Sequence, residues 1–69
     1  MINKTAVISS NIASVGWENN VLEVTFHKSG TYRAEGVPKS VYEGLVGAKS
    51  VGKYFHANVQ PLYTLKRVG

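Results

Sequence analysis

Apolar and polar residues alternate most clearly from Leu22 to His27, with Leu22, Val24 and Phe26 on one side and Glu23, Thr25 and His27 on the other. A period of two marks a half-buried strand. Ala13-Ser14-Val15-Gly16-Trp17 alternates more weakly just upstream, and the turn-like Glu18-Asn19-Asn20 joins the two runs as a hairpin. Lys28-Ser29-Gly30 is the next turn, with Gly30 free to take a positive φ. Thr31 to Glu35 then returns as a third strand, Tyr32 and Ala34 on one face and Thr31, Arg33 and Glu35 on the other. Gly36-Val37-Pro38 breaks the sheet, because proline cannot donate to a ladder yet suits the first turn of a helix.

From here the spacing becomes helical. Val41, Leu45 and Ala48, flanked by Tyr42 and Val46, predict an amphipathic helix that Gly44 and Gly47 keep short, with Gly47 as its C′ residue. A second short helix is expected from about Val51 to Ala57, Val51 and Phe55 facing the core and Asn58 ending it. After the connector Val59-Gln60-Pro61, Leu62 to Arg67 forms a last extended segment at a sheet edge, with Tyr63 and Leu65 on one face. The expected fold is α+β: one domain spanning 1–69, with a small antiparallel sheet of three to four strands packed against two short helices.

Composition narrows the function. With 69 residues the core is marginal alone, which favours a homo-oligomer, while 43% hydrophobic and only 17% charged residues argue for a folded chain. Cysteine is absent, so disulfides, thiolate metal sites and cysteine nucleophiles are excluded. Met1 to Ser10 lacks the long apolar core of a signal peptide, and no stretch reaches transmembrane length; a cytoplasmic protein without a membrane partner is expected. Aspartate is absent too, and no motif pairs Glu18, Glu23, Glu35 or Glu43 with His27 or His56. No catalytic residue, metal site or cofactor is therefore expected. The net charge of +4 favours anionic partners, but the cations are dispersed, with only Lys66 and Arg67 adjacent, so there is no basic tail.

The candidate chemistry gathers at Ala48 to Phe55, where Lys49, Ser50, Gly52, Lys53 and Tyr54 surround the start of the second helix. The free N–H groups and positive dipole end of a helix start attract phosphate or carboxylate, and two lysines add full charges. The plainer account makes Ser50 an N-cap, Gly52 a packing accommodation and the lysines solvated. Gly47 and Gly52-Lys53 match the phosphate-loop spacing, but Tyr54 stands where a magnesium-binding hydroxyl belongs and no strand leads into Gly47, so nucleotide hydrolysis is rejected. His56, three residues after Lys53, is placed to join an anion site, or it is simply an exposed polar residue. Tyr32 and Tyr54 neighbour basic residues and are the aromatic ligand candidates; Arg33, with a planar fork that grips phosphate, is the cation candidate.

The chain resembles the KTSC domain family, named for its occurrence at the C-terminus of some lysyl-tRNA synthetases and found also as free-standing bacterial or phage proteins. The resemblance runs from about Ser10 to Tyr63. It rests on Ile12-Ala13 with Trp17, Leu22 to Phe26, Gly30-Thr31-Tyr32, Val37-Pro38 with Val41-Tyr42, and Ala48 to Phe55. The family's Tyr-x-Tyr appears here as Tyr32-Arg33-Ala34, without the second aromatic. The resemblance implies a non-enzymatic domain, and the synthetase context implies RNA binding. The leading expectation is sequestration of a small phosphate-bearing ligand, a nucleotide or cyclic oligonucleotide, as small viral proteins do against host nucleotide signalling. An RNA or single-stranded nucleic-acid module and a protein-interaction module are the alternatives.

Overall fold

The computed structural model describes residues 2–69; Met1, counted above in the N-terminal stretch, lies outside them. Two hairpins form the centre of the sheet. β2 (Ile12–Glu18) and β3 (Val21–Phe26) pair antiparallel from Ile12↔Phe26 to Glu18↔Val21. Their turn holds Asn19 and Asn20 at φ 51° and 63°, a left-handed pair that asparagine tolerates and a two-residue hairpin needs. β4 (Gly30–Glu35) returns along β3 after the loop His27-Lys28-Ser29, with Gly30 at φ 91°. β1 (Lys4–Ala6) then adds to β2, and β5 (Leu65–Arg67) to β4, giving an antiparallel meander in the order β1-β2-β3-β4-β5.

The sheet thus has five strands, not the three to four expected. β1 is the strand that the pattern misses, because all three of its residues are exposed and it is held by backbone pairing to β2. β5 is shorter than the segment Leu62 to Arg67. The N–H groups of Leu62 and Tyr63 both donate to Val59 O, so the chain coils past the end of the second helix before extending.

α1 (Lys39–Gly47) starts behind Pro38, and α2 (Val51–Asn58) starts behind Ser50, whose hydroxyl accepts from Lys53 N–H at 3.3 Å. Gly47 is not a left-handed C′ residue: it is the last helical residue, and the chain leaves through extended Ala48 at φ −71°, ψ 142°. α2 runs one residue further than expected, through Asn58, whose side-chain amide donates to Tyr54 O.

Both helices cover one face of the sheet. Ile12, Val15, Leu22, Val24 and Ala34 from the strands meet Val37, Leu45, Val51, Phe55 and Val59, and all ten are buried. A bulge between Ile12 and Ser14 allows both Ile12 and Val15 to join them; with regular alternation, residues three apart point to opposite faces. Trp17 closes one end of the core with its indole N–H donating to Val37 O at 2.7 Å. The helices meet where Gly44 leaves room for the Tyr54 ring, which a Cβ there would overlap.

Candidate ligand-binding site

Of the residues singled out at the start of α2, Ser50 and Tyr54 make contacts within the fold. Ser50 spends its oxygen on the cap, Tyr54 packs against Gly44, and Lys49 and Lys53 are exposed. Gly52 has only Ser9 Oγ nearby, 3.8 Å from where a Cβ would sit. Arg33 does not join them. Its parity with Glu23 in the β3–β4 register puts it on the sheet face opposite the helices. Tyr32 does face the helices, in an edge-to-face contact with Phe26 at 5.6 Å.

Tyr32 and His56 therefore come together, beside residues that the pattern did not mark. Between α2 and the β3–β4 loop lies a groove of two adjoining depressions, of about 350 Å³ and 290 Å³, that share Phe26, Ser29, Phe55 and His56. Such volumes fall at the lower end of small-molecule sites, roughly 300–1,000 Å³. Phe26 and Phe55, ring centroids 5.5 Å apart and nearly perpendicular, form the floor. The first depression adds Asn11, His27 and Lys28; the second adds Tyr32 and Gln60. No glutamate lines either one among the described residues.

The two histidines are held differently. His27 Nε2 lies 3.1 Å from Ser9 O, where it donates, and its backbone N–H donates to Asn11 O, tying the loop to the segment before β2. His56 Nδ1 donates to Gln60 Oε1 one helical turn on, at 2.5 Å, leaving Nε2 for a ligand. Tyr32 and His56, both singled out in the sequence, line this groove; His27 and Lys28 line it too and were not singled out. Their signal was a polar loop at a hairpin tip, the commonest place for binding residues.

The opposite face carries a different arrangement. The register aligns Lys4, Gly16, Glu23, Arg33 and Lys66 in one row across all five strands. Glu23 is buried, its side chain 8% exposed, between Arg33 Nε at 2.6 Å and Lys4 Nζ at 3.3 Å; Lys4 also donates to Thr25 Oγ1 at 2.7 Å. Lys4 reaches across β2 because Gly16 has no side chain. A Cβ on Gly16 would sit 2.6 Å from both Asn3 O and Ile2 Cγ2. Burial pushes the Glu23 carboxyl up, but the hydrogen bonds and charges of Arg33 and Lys4 outweigh it and hold it below the usual range.

Comparison with known proteins points one way. The KTSC domain model matches residues 8–63. An uncharacterized protein of Stutzerimonas stutzeri strain A1501 is 36% identical over 62 residues, covering 87% of each chain. The crystal structure of a KTSC domain protein from Yersinia pestis superposes with a TM-score of 0.95 at 30% identity over 100% of both chains. Among the described residues, no helix is long and apolar enough to cross a membrane.

Proposed function

We propose that this protein, which belongs to the KTSC domain family, is a non-enzymatic binder of a small phosphate-bearing ligand, a nucleotide or cyclic oligonucleotide, and acts by sequestering it. The groove beside α2 carries this reading, because its aromatic floor and carboxylate-free basic rim match the two halves of such a ligand. A base packs on Phe26 or Tyr32 and Lys28 donates to phosphate oxygens, while the ring nitrogens of His27 and His56 that face away from Ser9 O and Gln60 Oε1 accept from hydroxyl or amino groups of the ligand. Retention rather than turnover fits these side chains, since the histidines have no carboxylate beside them in the groove to orient one as a general base. A cytoplasmic protein acting as a homo-oligomer suits this role, a second copy closing the open side of the groove.

The test is calorimetry and thermal melting of the purified protein with mono-, di- and cyclic nucleotides beside a short single-stranded RNA. One small nucleotide is expected to saturate at fixed stoichiometry and raise the Tm. Lys28→Ala and His56→Ala are expected to abolish that response, and Lys53→Ala, on the far end of α2, to retain it. Binding of RNA alone with steep salt dependence would replace this reading with a nucleic-acid module. Silence across the panel would sink both and leave a protein partner.

A further inference from the structure

The cross-strand row on the open face holds more cation than its carboxylate can match. Lys4 and Arg33 both contact Glu23, and Lys4 also bonds Thr25. Lys66 lies directly opposite Arg33 in the β4–β5 register, which puts both side chains on one face, and it has no partner among the described residues. Arg33 uses only Nε toward Glu23; its two terminal amino groups donate to nothing among the described residues, and its side chain is 49% exposed. A guanidinium held at Nε presents its Nη1/Nη2 edge away from the anchor, the edge that grips two oxygens of one anion.

Arg33 and Lys66 also line a depression of about 630 Å³ on this face, together with Tyr63, Thr64 and Glu35. We propose that Arg33 and Lys66 form a second site, for a single phosphate group, on the open face of the sheet, with Glu23 as the positioning residue that aims the Arg33 guanidinium. The ordering cost of a long side chain is met in advance, because buried Glu23 already fixes Arg33. Glu35 in the same depression restricts the charge that the site accepts, favouring one phosphate over a polyphosphate chain. A free phosphate and the phosphodiester of a single strand both offer this chemistry. The site is separate from the groove beside α2 and stands independently of that reading.

The experiment follows backbone amide and Arg33 Nε–H signals by NMR during titration with inorganic phosphate and, separately, with a short oligothymidylate. Shifts confined to β4 and β5 are expected with at least one probe. Phosphate alone identifies a free monoester as the ligand class; oligothymidylate with a salt-dependent affinity identifies a nucleic-acid backbone. Arg33→Lys keeps the charge but removes the fork, so it is expected to weaken binding about tenfold. Lys66→Ala should weaken it several-fold, and Lys39→Ala, at the start of α1, should leave it unchanged. Glu23→Gln is the sharpest discriminator: it raises the net positive charge, so a site acting only through its field would bind more tightly, whereas loss of positioning weakens binding and shifts the Arg33 Nε–H signal. Wild-type affinity in Arg33→Lys, tighter binding in Glu23→Gln, or no shift in β4 and β5 with either probe overturns the proposal. Lys28→Ala and His56→Ala should leave these signals intact.

Discussion

On the helix-covered face of the sheet, ten buried apolar residues pack through shape, and Trp17 Nε1–H finds its acceptor in Val37 O. On the other face the polar row from Lys4 to Lys66 is organised around a single buried carboxylate. The first arrangement is non-directional and responds to lost volume; the second is directional and responds to charge and pH. Stability and recognition are therefore expected to separate by face, apart from the groove where α2 meets the β3–β4 loop.

The sharpest way to break the covered face is Leu45→Ala, at a position with no exposure; a cost of about 2–5 kcal/mol is expected in chemical denaturation. Gly16→Ala strikes the open face instead. Its Cβ must displace Asn3 O and Ile2, and a cost of about 1–3 kcal/mol is expected, with hydrogen exchange rising first in β1. Acid titration should sharpen the contrast. Because folding lowers the Glu23 pKa, its contribution is present above the unfolded carboxylate range and is lost as pH falls through the lower folded value. Denaturation midpoints should fall with acidification in the wild type and less steeply in Glu23→Gln; parallel curves would deny Glu23 this role. The smallest effect is expected from Ser50→Ala, about 1 kcal/mol from a lost N-cap and no change in ligand binding at the groove.

What the sequence revealed follows the same division. Leu22, Val24 and Phe26 announce β3 because each points into the core, and Val51 and Phe55 announce α2 for the same reason. β1 left no trace, since Lys4, Thr5 and Ala6 are exposed and their pairing is a property of the backbone. Arg33 stood out by its chemistry, but its partner could not, because Glu23 occupies a polar position of an alternating strand. Only the register and the close approach of Ile2 and Asn3 to Gly16 reveal that this position is covered. The groove was half legible: His56 and Tyr32 were marked, while His27 and Lys28 join them only when the β3–β4 loop meets α2.

The meander order has a kinetic consequence. β1 to β4 pair with their neighbours in sequence, so each ladder closes a short loop, and hairpins of this kind form in about 1–10 μs. β4 and β5 are separated in the chain by both helices, so their pairing closes a longer loop and is expected to be the later contact. Arg33 and Glu23 are thus expected to meet before Lys66 arrives. A refolding chain should recover its central hairpins before it can recognise phosphate on the open face.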